Sequence, residues 1–389
     1  MQNTQALYHA DSMQTRFCAV VTAVRQCDDQ WQVTLDKTAF YPEGGGQPAD
    51  HGTLNEIAVT DVQMQQGEIW HTIESPIPQG TAVQGEVDWQ RRLDLMQQHT
   101  GEHILSGLLH SMFSTENVGF HIGQEFVTMD INAPLTWQQL MQAEWTANSI
   151  IWKDVAVDCK IVPPDQLDAL QYRSKKAIEG DVRIVTIPGA DCCACCGTHL
   201  PSTGMVGQIK ILDAQRYKGG TRLTVVCGGR ALKDYNIKRD QLAKIGAAVS
   251  MPHNRAADGV DTLQQQIAQL KMQLADARNL WFDALCASVS ADQSPLIVAD
   301  GLDGEAMRSL CLRLCECTPN RCAVLCPKEG GYSYAVGQKD GKLTEFVRSM
   351  NSALSGKGGG KPCLCMGSLQ ADIDSIKQFW NERKDDTTQ

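Results

Sequence analysis

The chain has 389 residues, 42% of them apolar, which is enough for roughly two or three domains with buried cores. Its formal net charge of −10 excludes a protein that coats nucleic acid by bulk attraction, because phosphate binding needs clustered lysine and arginine. No apolar run approaches the ~20 residues of a membrane span, and the first residues lack a secretion signal, so we expect a cytoplasmic protein. Its 16 cysteines are then expected to be reduced thiols, with metal ligands among them.

The predicted fold class is α+β. Residues 1–90 alternate apolar and polar positions in the segments FCAVVTAVRQ, WQVTLDKTAF, GTLNEIAVTDVQ, EIWHTIE and AVQGEVDW, which predicts a small N-terminal β-barrel domain. Residues 91–250 combine helical periodicity, from Trp89 to Met112 and from Thr136 to Lys153, with short strands such as VRIVTIPG and TRLTVVCGG. This pattern predicts a mixed α+β domain.

Apolar residues three and four apart between Val260 and Ala284 predict a helical linker over 255–290. This spacing is typical of a coiled-coil seam, which would form an antiparallel helix pair or a dimer contact. It is equally typical of a single amphipathic helix that packs on its own protein. From 294 to 389 the pattern becomes α/β, with strands PLIVAD, CAVLCPK and GYSYAVGQ, a helix from Gly304 to Cys317 and a closing helix from about Ser368 to Arg383.

Two pairs of residues have the spacing of metal ligands. His99 and His103 lie four apart on a predicted helix, so both imidazoles share one face. Cys195 and His199 are also four apart, in the segment CCACCGTH. Together they offer the nitrogen and sulfur ligands that zinc prefers, although Cys192, Cys193 and Cys196 are competing thiols.

Several segments together resemble alanyl-tRNA synthetase. HTGEHIL at 99–105, CCGTHLPSTGMVGQIKI at 195–211 and LTVVCGGRALKDY at 223–235 resemble its editing domain, and TAFYPEGGGQPADHGTL at 38–54 resembles the barrel segment before that domain. SGKGGGKPCLCMGS at 355–368 is similar to the DHH-associated domain that ends these synthetases. We expect no aminoacylation domain, so the chain resembles the long form of the AlaX family, the stand-alone alanyl-tRNA editing proteins.

The resemblance implies a zinc ion held by His99, His103, Cys195 and His199. It implies trans-editing, the hydrolysis of the ester that joins a wrong amino acid, Ser or Gly, to tRNA(Ala). Two positions depart from the family pattern: Cys196 replaces a usual glycine, and Glu43 replaces a threonine linked to recognition of serine.

Four residues are candidates for catalysis. Gly45 and Gly46 allow backbone N–H groups to approach a ligand, and Gln47 can both donate and accept hydrogen bonds. Glu102 lies between the two histidines, but helical geometry turns it away from them, so it is expected behind the ligands or facing solvent.

Basic residues suggest where tRNA would bind. Lys357 and Lys361 frame a predicted glycine loop, and Arg216 and Lys218 belong to a second basic stretch. Three further basic groups are solvated faces or phosphate contacts: Arg91 with Arg92, Arg173 with Lys175 and Lys176, and Lys238 with Arg239. The resemblance implies charged tRNA(Ala) as partner, and a homodimer through the linker and the last domain is an open hypothesis.

Three other functions compete with editing. The first is a non-catalytic, zinc-stabilised tRNA-binding module. A phosphoesterase is excluded because the chain lacks the Asp-His-His motif that such enzymes use for paired metals. A redox sensor built on CCACC would show reversible oxidation that regulates activity.

Overall fold

A computed structural model describes residues 4–167, 170–174, 180–339 and 341–383, and it confirms the α+β class. The chain forms two units, Met1–Lys244 and Ile245–Gln389. In the described ranges, no helix is both long and apolar enough to cross a membrane. The predicted division into four domains stays a prediction.

The first unit contains most of the strands. They are β1 (Gln5–Ala6), β2 (Arg16–Cys27), β3 (Gln30–Leu35), β4 (Lys37–Thr38), β5 (Gly52–Leu54), β6 (Ile57–Gln65), β7 (Glu68–Ile73), β8 (Ala82–Val87), β9 (Asn117–Ile122), β10 (Val127–Ile131), β11 (Asp158–Val162), β12 (Val182–Ile187), β13 (Asp191–Ala194), β14 (Ile209–Tyr217) and β15 (Gly220–Cys227). The helices are α1 (Leu7–Ala10), α2 (Trp89–Phe113), α3 (Trp137–Trp152), α4 (Pro164–Leu167) and α5 (Gly228–Ala248), whose last residues fall in the second unit. A 3₁₀ turn spans Thr203–Val206.

Six strands near the N-terminus close into a barrel in the order β2-β3-β7-β6-β5-β8. Alternate residues of β2 and β8 are buried, because successive side chains in a strand point to opposite faces. The segment GTLNEIAVTDVQ forms two of these strands rather than one. Asn55 and Glu56 break it with positive φ angles of 46° and 69°, which turns β5 back onto β6.

Helix α2 is the central element of the mixed α+β part of this unit. Asp88 begins it by accepting a hydrogen bond from the backbone N–H of Arg91, and Ser114 ends it in the left-handed conformation. The helix packs against α3, against β13 and against the sheet ordered β14-β15-β10-β9. Its histidine-bearing middle is therefore buried on nearly every side.

Arg92 joins helix α2 to the barrel, which corrects its interpretation as part of a surface basic group. Its side chain is completely buried and forms an ion pair with buried Asp50. The same guanidinium donates to the carbonyl oxygens of Ser12 (2.7 Å) and Ala39 (2.6 Å). A guanidinium has five N–H donors in a planar fork, so one side chain can hold three segments in register.

The second unit is built on one five-stranded sheet. Its strands are β16 (Leu296–Val298), β17 (Cys322–Lys328), β18 (Gly331–Gly337), β19 (Lys357–Lys361) and β20 (Leu364–Leu369), in the order β16-β17-β18-β20-β19. The helices are α6 (Ala256–Ala287), α7 (Gly304–Cys317), α8 (Leu343–Ala353) and α9 (Ile373–Glu382), after a 3₁₀ turn at His253–Arg255. Apolar clusters on both faces of the sheet form its core.

Two predictions for the second unit were wrong. The segment Lys357–Lys361 is the edge strand β19, paired with β20, and not a loop. The closing helix begins at Ile373 rather than near Ser368, because β20 occupies the chain up to Leu369. Glycines carry no pattern of hydrophobic alternation, so the sequence of β19 gave no sign of a strand.

The predicted seam does lie on one helix, α6. Five of its apolar residues are between 38% and 63% exposed: Val260, Leu263, Ile267, Leu270 and Leu274. Packing of the seam against its own protein is therefore not observed for these residues. The dimer contact stays a prediction.

Replacing Arg92 with methionine should destabilise the first unit by about 3–5 kcal/mol, because the change leaves the buried carboxylate of Asp50 without its cation. Urea unfolding of the full chain, followed by circular dichroism, measures this. Arg16→Met is the matched control, since Arg16 and Glu86 form an exposed ion pair worth less than about 1 kcal/mol. Equal effects of the two substitutions would contradict the structural role of Arg92.

Candidate metal centre

The structure brings the four predicted ligands together. The ligand atoms of His99, His103, Cys195 and His199 all lie within 4.8 Å of one another, although about a hundred residues separate the two pairs in the chain. Nε2 of His99 and Nε2 of His199 are each 3.4 Å from Sγ of Cys195. Helix α2 supplies one pair and the loop after β13 supplies the other.

The spacing of these atoms fits a metal ion. A tetrahedral zinc with its usual bond lengths separates nitrogen and sulfur ligands by about 3.6 Å, which is close to the two N–S distances in this cluster. Three imidazoles and one thiol are also a donor set that zinc prefers. The cluster can therefore hold a metal ion.

Each of the three histidines is oriented by a contact at its Nδ1 atom. Nδ1 of His99 is 2.7 Å from Oε1 of Gln47, and Nδ1 of His103 is 2.9 Å from Oδ2 of Asp191. Nδ1 of His199 is 3.3 Å from the hydroxyl of Thr100. A hydrogen bond at Nδ1 directs Nε2 toward the cluster, as in most histidine sites for metals.

The local charges favour a thiolate at Cys195. Burial alone would raise its pKa, but the nearby His99 and His103, with hydrogen bonds from His103 and His199, lower it well below the usual range. Burial lowers the pKa of His199 to about 3, which keeps this imidazole neutral and available as a ligand. Thiolate sulfur and neutral imidazole are the forms that bind metal ions.

His103 has the opposite shift. Burial would lower its pKa, but the charge of Cys195 and the hydrogen bond to Asp191 raise it well above 6.5. Asp191 is itself kept ionised: burial raises its pKa, yet hydrogen bonds from His103 and Arg173 lower it overall. His103 therefore carries a proton that a metal ion bound at Nε2 would replace.

The loop that carries Cys195 and His199 has no space for a side chain at Gly197. A Cβ atom there would collide with the imidazole ring of His99. Arg183 holds this loop by donating to the carbonyl oxygens of Cys195 (2.8 Å) and Gly197 (2.9 Å). Ser12 donates to the carbonyl oxygen of His199 at 2.7 Å, so the segment bound by Arg92 also holds the loop.

Gln47 lies behind the ligands rather than in contact with open space. Its side chain is fully buried, donates to the hydroxyl of Thr198 (2.8 Å) and accepts from the backbone N–H of Thr198 (3.2 Å). Gly46 has a φ of +87°, and a Cβ atom on it would lie 2.6 Å from the carbonyl oxygen of Phe120. The glycine turn thus packs tightly on β9 and fixes Gln47 beside His99.

A cavity of about 320 Å³ opens beside the four ligand atoms. Beyond His99, His103 and Cys195, its wall is formed by Tyr41, Gly45, Glu102, Ser106, Glu116, Asn117, Phe120, Arg173, Ser174, Cys193, Ala194, Cys196 and Gly197. Of the four candidate catalytic residues, Gly45 and Glu102 line it, whereas Gly46 and Gln47 are not part of its wall. Glu102 is only 5% exposed, so the alternative that it faces solvent was wrong.

The competing thiols have different positions. Cys193 forms a second group of ligand atoms with His103 and Asp191. Cys196 is exposed on the cavity wall, and Cys192 belongs to neither group. Glu43, which replaces the family's threonine, is exposed and accepts a hydrogen bond from the side-chain amide of Gln63 (3.0 Å). It is not part of the cavity wall.

The candidate tRNA contacts lie in two exposed places. Arg216 and Lys218 are exposed at the turn between β14 and β15, and Lys357 and Lys361 are exposed on β19. Three residues of the other basic groups are paired with acids: Arg173 binds Asp191, Lys238 binds Asp234 and Arg239 binds Asp240. Arg91 donates to the carbonyl oxygen of Ala49 (2.9 Å). Lys175 and Lys176 lie outside the described residues.

Sequence reasoning missed several residues of this site. Asn117 and Phe120 line the cavity and Asp191 contacts His103, but none belongs to a recognisable ligand pair. Arg173 also lines the cavity, although its sequence context indicated only a basic group. Asp191 is the first residue of β13 and of the segment DCCACC. In this segment the cysteines are the obvious metal ligands, so the sequence does not single out the carboxylate. The chain gives no signal for the others, because tertiary contacts alone bring them to the cavity.

Asp191→Asn should weaken metal binding by about 10- to 100-fold, because the residue that orients His103 loses its charge. Competition with a chelator on the full chain measures the affinity. Asp130→Asn is a matched control. Arg222 donates two hydrogen bonds to the Asp130 carboxylate, as Arg173 does to Asp191, but no candidate metal ligand contacts Asp130. An unchanged affinity in Asp191→Asn would contradict the orienting role.

Metal affinity should rise with pH, by up to about tenfold per pH unit between about pH 6 and pH 8, because the metal must displace the proton of His103. The sign follows from the raised pKa of that imidazole. Chelator competition at several pH values measures the slope, after correction for protonation of the chelator alone. An affinity independent of pH would show that His103 binds no proton in this range.

Two family models match the chain. The model described as threonyl and alanyl tRNA synthetase second additional domain matches residues 182–224, which include Cys195 and His199. The model of class II (A) tRNA synthetases matches residues 4–91, which include the barrel.

Curated relatives are of two kinds. The alanine–tRNA ligase of Pyrococcus abyssi is 31% identical over 97% of this chain, which spans 43% of that enzyme's length. The alanyl-tRNA editing protein Aarsd1 of Bos taurus is 34% identical over 52% of this chain and 47% of its own. Among solved structures, the C-Ala domain of the Aquifex aeolicus alanyl-tRNA synthetase is 20% identical, with a TM-score of 0.22. The match covers 25% of this chain and 92% of that one. A TM-score this low carries no information about the fold.

One relative matches from end to end. The alanyl-tRNA editing protein AlaX-L of Pyrococcus horikoshii is 28% identical, and the alignment covers 96% of both chains. The resemblance of the chain to the long-form alanyl-tRNA editing proteins, and to alanyl-tRNA synthetase, is therefore confirmed.

Proposed function

We propose that this protein is a trans-editing hydrolase that deacylates tRNA(Ala) mischarged with serine or glycine. The observation that carries the proposal is the convergence of four metal-ligand side chains, three of which line a small cavity. The names of the relatives, which include an alanyl-tRNA editing protein aligned over almost the whole chain, supply the substrate class.

Zinc is the proposed cofactor, held by His99, His103, Cys195 and His199. A zinc ion supplies Lewis acidity, which polarises a carbonyl or lowers the pKa of a water molecule. The protein's own contribution is to fix the donors before the metal arrives. Gln47, Asp191 and Thr100 do this through the Nδ1 contacts of the three imidazoles.

The cavity has groups suited to a small aminoacyl ester. Its volume of about 320 Å³ accommodates a short side chain and part of the terminal ribose, while Phe120 and Tyr41 give it apolar walls. Gly45 has a φ of +59°, with no atom near its Cβ position, so backbone rather than a side chain faces the ligand there. Ser106 and Asn117 add polar side chains that can bind a hydroxyl or an ester oxygen.

Binding of the tRNA body is assigned to the exposed cations. Arg216 and Lys218 would bind backbone phosphates from the first unit, and Lys357 and Lys361 from the second. Each pair is exposed, which phosphate contact requires. Because the net charge is −10, these local groups rather than overall attraction would place the tRNA.

Purified protein should hydrolyse Ser-tRNA(Ala) and Gly-tRNA(Ala) while sparing Ala-tRNA(Ala), and His103→Ala should lose both bound metal and at least about 100-fold of this activity. Deacylation of the three charged tRNAs, with metal content measured on the same samples, tests this. His121→Ala is the control and should keep both metal and activity, because His121 is exposed on β9 and does not belong to the cluster of candidate ligands.

The alternative function gives a different result. A non-catalytic tRNA-binding module would bind the metal and the tRNA but leave all three esters intact. Absence of hydrolysis by the metal-loaded, folded protein would therefore overturn the editing proposal.

A further inference from the structure

Glu102 places a buried carboxylate in the cavity wall without a lysine or arginine partner. Its side chain is only 5% exposed, yet within the described ranges it forms no ion pair with a lysine or an arginine. Its ion-pair partner among the described residues is the imidazole of His103, whose Nε2 lies 3.9 Å away, too far for a hydrogen bond. A hydrogen-bonded cationic partner can therefore come from a ligand in the cavity.

The two oxygens of this carboxylate have different surroundings. Oε1 accepts a hydrogen bond from the side-chain amide of Asn117, which fixes the orientation of the group. Oε2 is 3.9 Å from Nε2 of His103, beyond hydrogen-bond distance. Glu102 does not belong to the cluster of four metal-ligand atoms either, so Oε2 retains the capacity to accept from a ligand.

The other charged groups of the cavity wall are already paired. Arg173 donates to both carboxylate oxygens of Asp191 (2.8 and 2.9 Å) and to the hydroxyl of Ser106 (2.9 Å). Glu116 is half exposed and lies 2.9 Å from Nδ1 of His110. Glu102 is thus the buried acid of this wall that a cationic ligand group can approach.

We infer that Glu102 is the counter-ion of the substrate's free α-ammonium group, and that the cavity therefore selects esters of amino acids whose α-amine is unblocked. This inference rests on the proposed function and deepens it. In an aminoacyl ester the ammonium group is attached to the carbon next to the reacting carbonyl, so an anchor for it also positions that carbonyl. Esters of N-acylated amino acids and of α-hydroxy acids lack this cation and should be poor ligands.

A second role for Glu102 has to be distinguished, because a carboxylate beside a metal centre can also act as a general base. A base would serve every ester equally. A counter-ion affects only ligands that carry the ammonium group. The interaction between the protein variant and the ligand charge therefore separates the two roles.

The probes are two non-hydrolysable analogues of seryl-adenosine, with a 3′-amide in place of the ester. One carries the α-ammonium group, and the other carries an α-hydroxyl of nearly the same size in its place. Calorimetry on the full chain with its metal content determined gives both dissociation constants. Glu102→Gln should weaken binding of the ammonium probe by about 10- to 100-fold and that of the hydroxyl probe by less than about threefold.

Two further variants serve as controls. Glu116→Gln removes the other carboxylate of the cavity wall and should change neither constant by more than about threefold, because that acid is exposed and paired. Glu102→Asp keeps the charge and should keep the preference for the ammonium probe. Thermal unfolding of each variant shows whether the fold is intact.

Equal weakening of both probes by Glu102→Gln would overturn the inference, as would equal affinity of the wild-type protein for the two probes. In both cases the editing proposal stands if Ser-tRNA(Ala) is still deacylated. Failure of the wild-type protein to bind either probe or to deacylate the tRNA would instead remove the proposed function, and the inference with it.

Discussion

The rest of the first unit depends on the ion pair and hydrogen bonds formed by the buried guanidinium of Arg92. It binds Asp50 and Ala39 of the barrel and Ser12 of the N-terminal segment from a single position on helix α2. The barrel turn before Asp50 carries Gln47, which contacts His99, and Ser12 contacts the backbone of His199. One buried cation therefore fixes the relative positions of the helix, the barrel and the loop that together form the candidate metal centre.

The chemistry of the centre follows from how little water reaches it. Burial would neutralise Cys195, but the neighbouring imidazoles stabilise its thiolate. At His103 the charge of Cys195 and the hydrogen bond to ionised Asp191 outweigh burial, so the pKa of this imidazole is raised and it retains a proton. Charges in a low-dielectric site interact strongly, so a thiolate, an imidazolium and a carboxylate stabilise one another until a metal ion replaces the proton.

The cavity wall contains a buried acid that pairs with no lysine or arginine of the described residues. Each of Asp50, Asp191 and Asp130 forms an ion pair with an arginine. Glu102 instead accepts a hydrogen bond from the neutral side-chain amide of Asn117. Glu102 thus keeps one carboxylate oxygen available to a ligand in the cavity. The second unit presents exposed cations on β19 and an exposed apolar seam on α6.

The sequence by itself determined the α+β class, most helices and strands, and the four candidate ligands. Helical periodicity and the i, i+4 spacing of His99 and His103 are local, so they can be read from the chain. It did not determine that Arg92 is buried, that Asp191 orients His103, or that Lys357–Lys361 forms an edge strand. Those features depend on residues far apart in sequence, and only tertiary packing decides whether a polar side chain meets water, a partner or a cavity.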